Sequence, residues 1–424
     1  MNDDEYGAVL LRPLDVEPAG APRIDVARAM REGGRMRRRR WAFGGGFLAA
    51  IVAALVTGSL LISPATPHKP VLPPDPPLPK SCTVVGLPTG KYHSAEVIGG
   101  DSTGRWQFGR SNPYVDTGPQ HILVWHDGAL AGDAALPGFK VNPRSINSSG
   151  VIVGEADDKK SGIRPYVYRN GTFSPLKGGV GEAAEINDGG VIVGRLGDDA
   201  HPVAVRWRSA DADPERMPMP AGSHINSYNL AIAPDGTVAA IVIRPAPEPV
   251  TGPSGPAGSP SSSPSTETYL WLPDGTTRQI KAPPPAGDPT ATVDPLTFRH
   301  GWFYAEQVIG GKLGEQVVVE GVRLIRYDPV SGVWQKIGDE KPADAVQLPA
   351  AGRSFAGAGS PTPRVYVGSR VLELPMTMPL ADPDVDAATV QSISDDAHTV
   401  TGYLTRGAAD VPPQPYRPVI WHCE

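Results

Sequence analysis

From Cys82 to the C-terminus, short apolar runs alternate with turns rich in Gly, Asn and Asp. The runs are too short for helices, and no apolar stripe with a helical period follows Ser63. One run recurs: Ile146-Asn147-Ser148-Ser149-Gly150-Val151-Ile152-Val153-Gly154 returns 40 residues later as Ile186-Asn187-Asp188-Gly189-Gly190-Val191-Ile192-Val193-Gly194. A period near 40 built from short strands marks an array of small β units. Each unit opens with a turn leading into a buried strand. Its second half is an apolar strand ending on an aromatic residue, a turn, and a strand ending near Leu-Pro. The aromatic markers are Trp125, Tyr168, Trp207, Trp271, Tyr327, Tyr366 and Trp421. Asp127-Gly128, Asn170-Gly171 and Asp274-Gly275 follow three of them, as tight hairpin turns require. Degenerate copies of the first half lie at Glu96–Gly99 and Phe303–Ala305. Seven markers predict an all-β fold, a β-propeller of about seven four-stranded blades.

The pattern changes before Ser63. Arg37 to Arg40 precede Trp41–Ile62, a run without charge and long enough to cross a bilayer as a helix. Arginine clusters stay cytoplasmic, so the expected order is a cytoplasmic tail (1–40), a transmembrane helix (41–63) in the plasma membrane, and an extracytoplasmic remainder. A cleaved signal peptide is the alternative, with Ser63-Pro64-Ala65 as a poor cleavage site. Residues 64–80 hold eight prolines. This composition prefers polyproline II at ~3.1 Å per residue, a stalk of up to about 50 Å. The tail reads as mostly disordered, with a short helix over Ile24–Glu32 and a basic juxtamembrane patch suited to anionic lipid or to docking a cytoplasmic partner. Residues 244–267 form a Pro-, Gly- and Ser-rich insertion, expected to be disordered.

Composition narrows the function classes. Gly (49) and Pro (48) are abundant among 424 residues without a three-residue period, which fits many turns and excludes collagen. The net charge of −6 gives no electrostatic basis for nucleic-acid binding.

The pattern Ile-Asn-x-x-Gly-x-x-Val-Gly followed by an aromatic hairpin resembles the extracellular HAF-repeat, WD40-like propeller family. The resemblance covers about residues 92–424 and is sharpest in units 146–177 and 186–207. The family's Asp-Leu-Gly ending is mostly Leu-Pro here. The tail resembles those of actinobacterial single-span membrane proteins. Together these imply a membrane-anchored extracellular propeller.

The chain ends at Trp421-His422-Cys423-Glu424, in the middle of a unit. The segment Ser81–Pro88 has the form of the missing outer strand, including the Leu-Pro ending. Superposition on the hairpin after Trp125 puts Cys423 at Asp127 and Cys82 near Ala131. These are the only two cysteines, and a disulfide across the cut is expected, in an oxidising compartment.

Chemistry is sparse. Gly100-Asp101-Ser102-Thr103-Gly104 matches Gly-x-Ser-x-Gly, but no helical phasing follows Ser102 as a nucleophile elbow needs. The nine histidines are scattered. Asp157-Asp158, Asp198-Asp199 and Asp395-Asp396 recur near comparable loops without a calcium-loop pattern, and read as turn residues. Asn147, Asn187 and Asp188 read as turn formers. No catalytic residue, metal ligand or cofactor is expected. Trp106, Tyr114, Trp302 and Tyr304 fall outside the regular marker positions and are candidates for a recognition surface, with core filling as the alternative. The expected function is a non-enzymatic binding module at the cell envelope, contacting an extracytoplasmic protein, a glycan or a wall polymer. A propeller-fold lactonase, lyase or cyclase is the alternative.

Overall fold

The computed structural model describes residues 74–111, 120–135, 140–157, 162–198, 202–244, 265–283, 292–313, 316–340, 363–376, 387–405 and 416–424. The expected tail and transmembrane helix (41–63) lie outside them, and no helix among the described residues is long and apolar enough to cross a membrane.

The strands follow the expected alternation. After β1 (Cys82–Gly86), blade one contains β2 (Ala95–Gly100), β3 (Trp106–Ser111), β4 (Ile122–His126) and β5 (Ala129–Ala134). Blade two contains β6 (Lys140–Ile146), β7 (Ile152–Asp157), β8 (Ile163–Arg169) and β9 (Thr172–Pro175). Blade three contains β10 (Gly181–Ile186), β11 (Ile192–Leu196), β12 (Val203–Trp207) and β13 (Glu215–Arg216). Blade four contains β14 (His224–Ile232), β15 (Val238–Arg244), β16 (Ser265–Trp271) and β17 (Thr277–Ile280). Blade five contains β18 (Thr292–Arg299), β19 (Trp302–Leu313), β20 (Gln316–Tyr327) and β21 (Trp334–Glu340). The hairpin β22 (Arg364–Val367) and β23 (Arg370–Glu373) follows. The closing blade has the order β1, β26 (Arg417–Cys423), β25 (Thr399–Thr405), β24 (Ala387–Ile393). Each blade is an antiparallel meander from its inner strand to its outer one.

Seven four-stranded blades are thus corrected to six among the described residues, plus the β22–β23 hairpin. Tyr366 on β22 is buried like the other markers. The residues directly before this hairpin, 341–362, lie outside the described ones.

The ring closes where the repeat phase places the cut. β1 is the outer strand of the last blade, with Cys82 opposite Cys423 and Val84 opposite Trp421, and Cys82 and Cys423 form a disulfide. In blade one Leu130 is opposite Trp125. Cys82 therefore corresponds to Gly128 rather than to Ala131, and a bulge between Val124 and Trp125 accounts for one residue of that offset.

The repeat's conserved-looking letters have packing reasons. Gly154 and Gly194 sit on second strands opposite a bulge in the first strand. A Cβ there would overlap the carbonyl oxygens of Asn142 and Glu182, and Gly109 and Gly402 hold the same place in blade one and the closing blade. The marker tryptophans lock successive units together. Trp125, Trp207, Trp271 and Trp421 are buried, and their Nε1 atoms donate to the carbonyls of Pro88, Lys177, Pro218 and Pro375 at 2.7 to 2.9 Å. Those carbonyls belong to the segment leaving the outer strand of the preceding unit. The residue before each is a buried apolar side chain: Leu87, Leu176, Met217 and Leu374. The Leu-Pro ending is thus half of a seam between blades.

The insertion falls at the β15–β16 tip. Arg244 pairs with Ser265 in register, so Arg244 and Ser265–Glu267 belong to strands and the insertion shrinks to 245–264, outside the described residues.

Candidate functional site

Six turns joining first and second strands meet at one end of the propeller axis. In blades two and three the turn is closed by its own asparagine: Oδ1 of Asn147 accepts from the backbone N–H groups of Ser149 and Val151, and Oδ1 of Asn187 from that of Val191. The turn-forming role read from the sequence holds. The amide nitrogens do more. Asn147 Nδ2 donates to the Asn187 carbonyl (3.3 Å), and Asn187 Nδ2 donates to the Ala233 carbonyl (3.0 Å) in blade four. Each turn is thereby tied to the next around the ring.

Blade one carries the same device in altered form. Asp101 accepts from the Trp106 N–H and from Thr103, and its own N–H bonds to the Trp106 carbonyl. This span is one residue longer than Asn147 to Val151. The degenerate copy of the repeat is therefore Asp101–Gly109, not Glu96–Gly99, which belongs to the inner strand β2. The Gly-x-Ser-x-Gly string is this turn. Ser102 Oγ donates to Asp188 Oδ2 (2.7 Å) and lies between two strands.

These turns and the inner strands surround an axial cavity of about 830 Å³, part of it open to solvent. Its polar wall includes Ser102, Arg144, Glu185, Asp188, Arg299 and Asp395. Burial works to raise the Asp188 carboxyl, but hydrogen bonds from Ser102 and Ser148 outweigh it and hold the group below the usual aspartate range. His300 and Gly301 form the tight turn of blade five, both with positive φ (49° and 78°). The His300 imidazole lies 2.5 Å from the Asp395 carbonyl. Asp395 in turn donates its N–H to the Ser102 carbonyl (2.7 Å). Arg299 Nε and Asp395 Oδ1 lie 3.3 Å apart, yet both are buried atoms without a hydrogen-bond partner. Asp396 caps its own turn through Ser394 and His398. Asp158 and Asp199 are outside the described residues. Among the described residues no three His, Cys, Asp or Glu side chains converge as metal ligands would.

Toward the other end of the inner strands, polar pairs recur between first and second strands. Glu96 meets Arg110 (2.5 Å), Asn142 meets Glu155 (2.7 Å), and Glu182 meets Arg195. Blade five departs from this by placing Asp294 in register with Glu306. Burial, and then the Asp294 charge, push the Glu306 carboxyl up to about 7.

Of the recognition candidates, Trp106 is half-buried, stacks on His126 (ring centroids 4.0 Å apart) and packs against Gly150. Trp302 is also half-buried and lies beneath the Arg326 guanidinium, 4.1 Å from the ring centroid. Tyr304 is corrected to a core residue: it is 4 % exposed and packs with the closing-blade cluster. Its position on the second strand of a fully formed blade points the ring into the seam. Tyr114 lies outside the described residues. The axial residues were missed in the sequence because they come from different blades; the recurring letter after each first strand (Asp101, Asn147, Asn187, Ser394) was the available signal.

No protein-family model matches the chain, and no curated protein matches it. Solved structures do resemble it. TolB from Acinetobacter baumannii is 13% identical with a TM-score of 0.35, over 57% of this chain and 53% of that one. Dipeptidyl peptidase 4 from Porphyromonas gingivalis is 10% identical with a TM-score of 0.41, over 75% and 50%. The β-propeller domain of the trilobed protease from Pyrococcus furiosus is 12% identical with a TM-score of 0.42, over 77% and 95%. The chain spans about half the length of the first two. The expectation that this protein is not an enzyme is corrected by these neighbours. Peptidases and hydrolases recur among them.

Proposed function

We propose that the chain is a membrane-anchored extracytoplasmic propeller that binds its ligand in the axial cavity, at the cell envelope. One observation carries the binding part. Arg299 Nε and Asp395 Oδ1 form an ion pair of 3.3 Å on the cavity wall, both atoms buried and neither making a hydrogen bond. The long ion pair leaves hydrogen-bonding capacity on both groups, and a donor beside an acceptor suits a ligand that offers the complementary pair. The hydroxyls of an envelope glycan or wall polymer do so, as does the peptide backbone of a partner protein. The Cys82–Cys423 bridge supports an oxidising compartment. Arg37 to Arg40 ahead of Trp41–Ile62 support an anchor with residues 1–40 inside. The HAF-like repeat and a seventh unit completed around the β22–β23 hairpin belong to the same reading, supported by the buried marker Tyr366.

The test is retention of the full chain, in detergent, on arrays of wall fragments, glycans and envelope proteins. Eluates are assayed for turnover as well as binding. Arg299→Ala and Asp395→Ala should each lose most of the retention. Retention untouched by both substitutions would remove the axial cavity from the reading. Protease applied to whole cells should digest the propeller and spare residues 1–40; the reverse pattern would overturn the topology.

A further inference from the structure

The start of the propeller domain is preceded by a segment that behaves as a bound ligand. Residues 74–80 (Pro-Asp-Pro-Pro-Leu-Pro-Lys) lie against blade five and the β22–β23 hairpin. Their exposure has a period of three: Pro74, Pro77 and Lys80 face solvent, while Asp75, Pro76, Leu78 and Pro79 are covered. Three residues per turn is the signature of polyproline II, here with one edge outward and two against the protein.

The surface beneath is shaped for this segment. Asp75 Oδ1 is 2.6 Å from Arg326 Nη1, a guanidinium only 11% exposed. That guanidinium is stacked on Trp302 and also donates to Tyr304 Oη (3.4 Å) and Gln335 Oε1 (3.1 Å). Gly368 lies on the other side, where a Cβ would overlap the Asp75 carboxylate. Arg370 donates to the Pro76 carbonyl (2.5 Å). Leu78 packs on the cluster that includes Val365 and Leu372. The groove thus combines aromatic walls, a pre-stacked arginine and a glycine clearance. Aromatic-lined grooves recognise proline-rich segments because polyproline II is already ordered before it binds.

We propose that this seam is a recognition groove for an extended, proline-flanked acidic peptide, occupied in cis by residues 74–81. A partner protein carrying an exposed Pro-Asp-Pro-Pro-Leu-type segment competes for it. Pro76 also walls a small, open crevice that shares Arg299, His300 and Asp395 with the axial cavity. Displacing the strap therefore opens the groove onto the rim of that cavity.

The experiment uses the full chain carrying Asp75→Ala and Leu78→Ser together, which empties the groove without touching its walls. A fluorescent peptide of residues 74–81 is titrated by anisotropy. It should bind this variant at least about tenfold more tightly than the wild type, where the tethered copy competes. A peptide with alanine for its aspartate should bind about tenfold more weakly, the loss expected for a charge-assisted hydrogen bond. Arg326→Ala added to the variant should remove that difference between the peptides. Equal affinity for wild type and variant, indifference to the aspartate, or no binding at millimolar peptide would each overturn the proposal. If the double variant fails to fold, Asp75→Asn alone serves, with the same ranking expected.

Discussion

The side-chain amide of Asn187 in blade three donates to the backbone carbonyl of Ala233 in blade four, 46 residues away, while its oxygen closes its own turn on Val191. Both halves of the amide are used, and the residue is buried. Asn187→Ala should therefore cost about 1 to 3 kcal/mol, more than a surface turn asparagine, because it removes the bond to Ala233 and leaves the Val191 N–H open. Urea unfolding measures this. A loss below about 1 kcal/mol would mean that the link between blades carries no stability.

The disulfide joins residues 341 apart in sequence. Chain entropy predicts that Cys82→Ser or Cys423→Ser lowers stability by up to about 6 kcal/mol. Reduced wild type should then melt with the serine variants. Unchanged melting on reduction would show that β1 holds the ring through its backbone pairing alone.

Trp207→Phe keeps the apolar ring but removes the bond from Nε1 to the Lys177 carbonyl. The expected loss is about 1 to 3 kcal/mol, with the fold retained. The matching change Tyr327→Phe in blade five is the comparison: this marker has no indole N–H and should lose less. Equal losses in the two variants would argue that the seam depends on packing only.

Glu306 gives a pH signature. Its folded-state pKa of about 7 lies above the ordinary 4.5. Between these values the native state keeps a proton that the unfolded chain releases. Stability is thus fully present below about pH 4.5 and falls as pH rises toward 7, by a total on the order of 3 kcal/mol from this group. Burial also raises Asp294, with the same sign. Glu306→Gln should flatten the decline and stabilise the protein at pH 8. An identical pH profile in the variant would place the titration elsewhere.

Much of the fold was legible because strands and turns are local. Asp127-Gly128 and Asn170-Gly171 adopt the positive φ values that tight hairpins require, and each follows its marker aromatic. The cut in the ring was legible because the repeat phase can be followed from Cys82 to Cys423. The hairpin around Tyr366 was counted as a full unit because one marker was taken for four strands. Asp101 was missed because its turn is one residue longer than the repeat's.

The sequence by itself determined the strand–turn alternation, the unit length and the pairing of Cys82 with Cys423. These follow from side-chain period, turn chemistry and chain order. Only the tertiary structure decided that Asn147 and Asn187 bond across blades, that Arg299 and Asp395 share an axial wall, and that Asp75 lies on Arg326, 251 residues away. A repeat encodes each blade's own contacts. The curvature that closes the ring sets which residues of different blades meet, and no local pattern records it.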